Sequence, residues 1–347
     1  MSKRLGRLGL VMAMLGVSLG VSAVCAATQT PWPERPVRQL QPELAQVVAA
    51  DARLEMLAEG FGWAEGPVAE PGSGDLLFSD VPAGKVWRWS EAGGLRLYLW
   101  PSGTSEPLTA EPPLQGANGL IFDAQRRLVL AQHGDRRLAR LEGFHPDGRP
   151  RFETLIGQFE GRPLNSPNDL VQHRDGAFYF SDPPYGLAGG DKSVLKQQPV
   201  NGVYRLDADG RLRLLSARHS RPNGLAFSPD QRWLYVADSD WRQPTWWRYR
   251  VQEDGSLDEG ELFFDAGAAA RAGNKGLPDG LKVLPSGHVL ATGPGGVWVF
   301  NAEGRHLGTI ETGVAAANVA LSLDLRHLYI TASSYLLRIR LQDQAGR

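Results

Sequence analysis

The sequence predicts an all-β fold, a six-bladed β-propeller, and three observations carry that prediction. Six apolar runs each open on a short oxygen-bearing side chain, at Glu65, Asn118, Asn168, Asn223, Asp279 and Asn318. These positions are 53, 50, 55, 56 and 39 residues apart, a period that belongs to solenoids, propellers or arrays. The stretches between them are short, rich in β-branched and aromatic residues, and bounded by Gly, Pro, Asn and Asp, as strands and turns are.

Each unit reads strand, turn, strand. After Asn118 come "GLIFD", the turn "AQRR", "LVLAQ" and "RLARLE"; after Asn223 come "GLAFS", "PDQR", "WLYVADS" and "WWRYRV". The third unit gives "LVQH", "AFYFSD" and "GVYRLD", and the fifth "LKVL", "HVLAT" and "GVWVFN". A fourth strand precedes the next polar opening in most units, at 95–100, 151–156, 211–216, 261–266 and 306–311. Four strands in each of six units describe a propeller. The last unit stops at "LLRIRL" (336–341), and "RLEMLA" (53–58) is free to supply its missing strand. That pairing joins the two ends of the chain and leaves no open sheet edge. An open β-sandwich or two small β domains is the competing architecture, and six internal repeats argue against it.

The 347 residues divide into 1–26, a lead-in at 27–50 and the propeller at 51–347. Residues 1–26 carry Lys3, Arg4 and Arg7, then an apolar stretch, then small residues around Ala26, the pattern of a secretory signal peptide. A secreted or periplasmic protein with no membrane attachment after cleavage is therefore expected. Val24 before Cys25 argues against a lipoprotein. Cleavage near Ala26 removes the single cysteine, so the mature chain has no disulfide, thiol nucleophile or thiolate metal site. Loss of the three basic residues takes the formal charge from −1 to −4, and no basic patch points to nucleic acid. Nor does any Gly-x-Ser-x-Gly elbow point to a serine hydrolase.

In an up-and-down blade the innermost strand starts at the mouth to which the second strand returns. The six polar openings therefore share one face with the loops at 79–85, 133–137, 181–186, 238–243, 293–296 and 333–335. Glu65, Asn168, Asn223 and Asp279 would project into the channel from four blades and offer only oxygen. Such a set suits a hard divalent cation, Ca²⁺ first, with Mg²⁺, Mn²⁺ or Zn²⁺ behind it. The prediction thus includes a central metal-binding channel. Taken singly, each residue is as well explained as a turn former bonded to its own backbone. Four converging from separate repeats shift the balance, and Asn118 and Asn318 are the weaker members.

The ordered motifs "AEGPV…GDLLFSDVPAGKVWRW", "NSPNDLVQHRDGAFYFSDPPYGL", "RPNGLAFSPDQRWLYVADS" and "LPDGLKVLPSGHVLATGPGGVWVFN" resemble the gluconolactonase branch of the SMP-30/gluconolactonase family, from about Gly60 to the end of the chain. The resemblance implies a six-bladed propeller, one divalent cation in the channel and hydrolysis of a small sugar lactone. It implies Glu65, Asn223 and Asp279 as metal ligands, Asn168 as a fourth ligand or a substrate contact, and Asp279 as the catalytic proton acceptor and donor. Ser166 stands where animal members carry a sugar-binding Arg, the bacterial form of the motif, so the animal sugar-recognition pattern is not implied here.

Asn118, His133, Asp182, Tyr185 and Asp238 are the candidate substrate-binding residues; Asp182, Tyr185 and Asp238, with Trp241, are specificity candidates because carboxylates and aromatic faces hold polyhydroxylated rings. His133, in a mouth loop, is readable as a substrate contact or proton shuttle and equally as a surface turn residue, and the other six histidines fall away from the mouth. The Gly-rich insertion at 186–200 either caps the mouth or is a mobile surface loop. Two other functions use the same face: a non-catalytic ligand- or partner-binding propeller with a structural cation, and a metal-dependent esterase or phosphotriesterase.

Overall fold

Six antiparallel blades, five of four strands and one of five, follow one another along the chain in the computed structural model, which describes residues 30–105 and 116–343. The first blade runs from its inner strand Ala64–Ala69 through Leu76–Asp80 and Lys85–Ser90 to Gly94–Leu99. The inner strands of the next five are Ala117–Phe122, Leu170–Gln172, Pro222–Phe227, Leu281–Val283 and Ala316–Leu321. Every opening residue predicted above lies in, or one or two positions before, such a strand. The proposed signal peptide and Cys25 lie outside the described residues.

Ring closure is as the sequence predicts. Leu54–Glu59 completes the last blade by pairing antiparallel with Tyr335–Arg340, Leu54 opposite Ile339 and Glu59 opposite Tyr335. The second strands Leu76–Asp80, Leu128–Gln132, Phe178–Asp182 and Val289–Gly293 are buried along their whole length. Strands covered on both faces read as continuous apolar runs, which is why their signal was clear. Aromatic rings fill the wedge between neighbouring blades, as where Trp246 of the fourth packs on Trp298 and Phe300 of the fifth.

Residues 31–50 are built into the propeller. Val37–Gln39 adds a fifth strand to the fifth blade, against His306–Glu311. A 3₁₀ turn at Pro42–Gln46 then delivers Leu44, with Val47 and Val48, into a core cluster shared with Leu307 and Ile339. The insertion at 186–200 is anchored at both ends. Gly186 N–H donates to Ser166 Oγ at 2.8 Å, and Gln198 Nε2 donates to the carbonyls of Phe159, Arg162 and Pro163. Its tip, Val194 and Leu195, is exposed.

The inner strands are bulged where they carry their polar residue. Pairing slips between Glu65 and Val68, Ala117 and Leu120, Pro222 and Leu225, and Ala316 and Asn318. A bulge re-aims the side chain at the irregular position, and here it does so at the axis. The residue that follows is most often glycine, for a reason set by the adjacent blade. A Cβ on Gly66 would lie 2.0 Å from the Asn118 carbonyl oxygen, and one on Gly224 2.4 Å from that of Asp279. The repeated polar-then-glycine signature records backbone-to-backbone contact around the ring.

Candidate functional site

The bulged residues open into a cavity of about 480 Å³ at one mouth of the axis. Glu65, Asn118, His133, Asn168, Tyr185, Asn223 and Asp279 all line it, joined by Ser239. Trp63, Val81, Pro82, Leu277, Ala315 and Ala316 supply its apolar part, and Gly276 completes it. No Lys or Arg lines the cavity among the described residues.

Local hydrogen bonds decide which atoms face inward. Asn223 Nδ2 donates to Ser239 Oγ at 2.9 Å, and Ser239 Oγ in turn donates to the Pro278 carbonyl. The Asn223 amide is thereby oriented with its oxygen available. Asn318 is oriented the opposite way: its Oδ1 accepts from Val319 N–H at 2.9 Å, and its Nδ2 faces Glu65 Oε2 at 3.3 Å and Asp169 Oδ2 at 3.5 Å. It supports the carboxylates rather than joining their donor set. Asn118 Oδ1 and Asp279 Oδ1 are buried with no partner among the described residues.

Three carboxylates are crowded together. Burial raises Glu65 to about 7, against the Gly66 N–H that stabilises its charge, and the charge of Asp169 adds to the rise. Asp279 is pushed well above the carboxylate range by burial, then by the charges of Glu65 and Asp169. Burial raises Asp169 as well, with the charge of Lys282 pulling against it. Buried like charges disfavour ionisation, so the cavity-lining pair Glu65 and Asp279 is short of positive charge. Glu65, Asn168, Asn223 and Asp279 offer four oxygen-bearing side chains around that deficit, and the unpartnered Asp279 Oδ1 is one of their atoms. These residues fit a hard divalent cation. No three His, Cys, Asp or Glu side chains gather as a metal cluster among the described residues, so the set depends on its two Asn oxygens.

Asp182 and Asp238 do not line the cavity, and the substrate-binding expectation for them gives way to a structural role. Asp182 accepts from Asn165 N–H at 2.7 Å and Ser166 N–H at 2.8 Å. Asp238 accepts from Arg221 N–H at 2.8 Å and Ser220 N–H at 3.3 Å. Asp80 does the same in the first blade for Gly62 and Trp63, at 3.1 and 3.3 Å. In three blades, then, the aspartate ending the second strand clamps the backbone that leads into the inner strand. It positions Glu65, Asn168 and Asn223 from behind.

Asp169 escaped the sequence reading. It adjoins Asn168, is 3 % exposed, and accepts from Leu170 N–H at 2.8 Å behind the cavity wall. Its only sequence signal was the acidic residue directly after Asn in "NSPNDL". Trp63, Ser239 and Leu277 carried no signal beyond their proximity to the motifs.

A propeller with an oxygen-rich, cation-deficient cavity at one end of its axis is the class that fold and site define. The chain belongs to the SMP-30/gluconolactonase/LRE-like family, whose model matches residues 63–334. A protein named gluconolactonase from Zymomonas mobilis subsp. mobilis is 36% identical over 317 residues, covering 88% of this chain and 85% of that one. The solved structure of a Xanthomonas campestris gluconolactonase superposes with a TM-score of 0.76 at 32% identity, covering 90% of this chain and 97% of that one. A structure described as a calcium-binding regucalcin from Agrobacterium tumefaciens matches at a TM-score of 0.63 and 19% identity, covering 82% and 93%, and shows the shared fold.

Proposed function

We propose that this chain is a divalent-metal-dependent lactonase acting on a small sugar lactone such as gluconolactone. The observation that carries the reading is the wall formed by Glu65, Asn168, Asn223 and Asp279, oxygen-bearing side chains from four blades in one cavity that no Lys or Arg lines among the described residues. Family membership and the gluconolactonase relative, matched over most of both chains, support the lactone as substrate.

Those four residues would hold the cation, Ca²⁺ before Mg²⁺, Mn²⁺ or Zn²⁺. A cation bound there supplies Lewis-acid polarisation of the lactone carbonyl and stabilisation of the charge that develops on its oxygen. The chain's own residues do the rest. Asn118 and Tyr185 offer hydrogen-bonding groups to ring hydroxyls, and Trp63 offers a flat apolar face to the carbons of the ring. Ser239 keeps the Asn223 oxygen turned inward. Asp279, in the sequence-based reading, also takes a proton from the attacking water and returns it to the leaving ring oxygen. Export to the periplasm or medium belongs to the same proposal and rests on residues 1–26; N-terminal sequencing of the mature protein tests it.

The direct experiment follows acid release from glucono-1,5-lactone by pH-stat, against a no-enzyme trace. Metal-stripped protein is compared with samples given each cation. A metal-restored rate above background supports the reading and ranks the cations. No rate with any cation, from folded protein, overturns it. An Asp279→Asn variant, which keeps an oxygen toward the cation, that still binds cation but hydrolyses nothing separates an enzyme from a binding propeller.

A further inference from the structure

Two histidines of this chain are equally buried, each 3 % exposed, and they differ in one respect. His219 has both ring nitrogens engaged, Nδ1 with Asp238 Oδ2 at 3.3 Å and Nε2 with the Tyr249 hydroxyl at 2.7 Å. That is how a structural histidine satisfies its polar atoms in a core. His133 has neither nitrogen engaged with any described residue, and it lines the cavity. An imidazole held out of water with both nitrogens unpartnered carries a desolvation cost of about 1–3 kcal/mol for each polar atom. A ligand or a water in the cavity is what recovers it.

The surroundings hold the ring by shape alone. A Cβ on Gly186 would stand 2.7 Å from His133 Cβ and 2.7 Å from Ser166 Cβ, so the glycine of "PPYG" leaves the space in which His133 packs. The backbone of His133 is fixed from the other side by donation to the Gly116 carbonyl at 3.2 Å. No carboxylate selects its tautomer among the described residues, so either nitrogen is free to accept while the other donates. Burial lowers its pKa to about 4, so the ring is neutral around neutral pH.

We propose that His133 is the proton-transferring catalytic residue of the lactonase, a duty the sequence-based reading gave to Asp279. The inference rests on the lactonase reading and sharpens it. A carboxylate that binds a cation loses basicity, and Asp279 cannot serve both ends equally well. In the step assigned here, the water oxygen forms a bond to the lactone carbonyl carbon while a His133 nitrogen takes the proton that water sheds. The bond from the carbonyl carbon to the ring oxygen then breaks, and the imidazolium returns that proton to the ring oxygen. The product is the open-chain hydroxy acid, whose carboxyl proton passes to solvent; His133 ends as it began. General acid–base help of this kind is worth about 10²–10⁴-fold.

The test uses the cation-loaded mature protein and glucono-1,5-lactone. His133→Gln keeps a hydrogen-bonding amide near the imidazole position but exchanges no proton. The expected result is a kcat lowered about 100-fold or more, with KM changed less than tenfold and near-UV circular dichroism unaltered. Added imidazole should restore part of the rate of His133→Ala, and wild-type kcat should fall in D₂O. A His133→Gln enzyme with kcat within about threefold of wild type overturns the assignment while leaving the lactonase standing. Should the variants fail to fold, a wild-type kcat unchanged in D₂O overturns it without them. A wild-type protein that hydrolyses no lactone removes both readings together.

Discussion

Asn318, in the last blade, points its side-chain amide at Glu65 Oε2 in the first, 3.3 Å away across 253 residues of sequence. The same nitrogen faces Asp169 Oδ2 at 3.5 Å, so one neutral donor stands between two buried acids. Its position converts ring closure into alignment of the oxygen-bearing wall.

Asn318→Asp would set a third acid against those two, and a cation would relieve the crowding. We expect the metal-free variant to melt below wild type and the Ca²⁺-induced rise in Tm to be larger than in wild type. Differential scanning calorimetry with and without Ca²⁺ measures both. A variant whose Tm responds to Ca²⁺ less than wild type contradicts the idea that Asn318 tunes the carboxylates.

Gly66 has φ of +47°, and a Cβ there would reach 2.0 Å from the Asn118 carbonyl oxygen. Backbone cannot move aside as a side-chain tip can. Gly66→Ala should therefore cost about 3 kcal/mol or more, or prevent folding altogether. Urea unfolding checks this, and a loss below about 1 kcal/mol would show that the inner strands are not in the tight contact described.

Leu44 lies outside the repeats, yet it is 1 % exposed in a cluster with Leu307 and Ile339. Leu44→Ala should destabilise the protein by about 2–4 kcal/mol, as a core truncation does. If residues 31–50 were a dispensable lead-in, the unfolding midpoint would not move.

Arg205 is 7 % exposed and donates to Asp175 Oδ2 at 2.8 Å, Asp207 Oδ1 at 2.5 Å and the Tyr179 hydroxyl at 2.6 Å. Partial burial pushes Asp175 up, but the Ala177 N–H and Arg205 outweigh it and hold the carboxyl at about 2. A depressed folded pKa stabilises the protein above the unfolded value, about 3.9 for Asp. That contribution is lost as pH falls through the folded value. Arg205→Gln should cost about 2 kcal/mol at pH 7, since both acids remain partly exposed. The gap between wild type and variant in urea should narrow from pH 4.5 to pH 2.5. A gap independent of pH in that window rules out the ion pair as its source.

The sequence made the blades legible because each buried strand is a continuous apolar run ended by turn residues, and because the pattern recurs. It made most of the cavity legible for the same reason, as one polar opening per blade. Asp182 and Asp238 misled because a carboxylate in a mouth loop looks the same whether it faces a ligand or a backbone amide. Their recurrence was the available clue: Asp80, Asp182 and Asp238 hold the same place in three blades, as an architectural clamp would. His133 and Tyr185 have no such counterparts, and both line the cavity. Asp169 was hidden because adjacent residues at a strand entrance face opposite sides of one wall. Ser239 and Leu277 become cavity residues only once the loops are folded.

The strand that completes the last blade is among the first to be made. Arg338 Nε donates to Glu55 Oε2 at 3.0 Å across 283 residues. At a synthesis rate of about 5–20 residues per second, roughly 15–60 s separate the making of these two partners. Throughout that interval the emerging polypeptide carries one strand with no neighbour and a growing arc with a raw flank, both able to recruit strangers. Factors that hold the nascent arc apart from its siblings should therefore raise the yield of native protein more than they raise the stability of the finished ring.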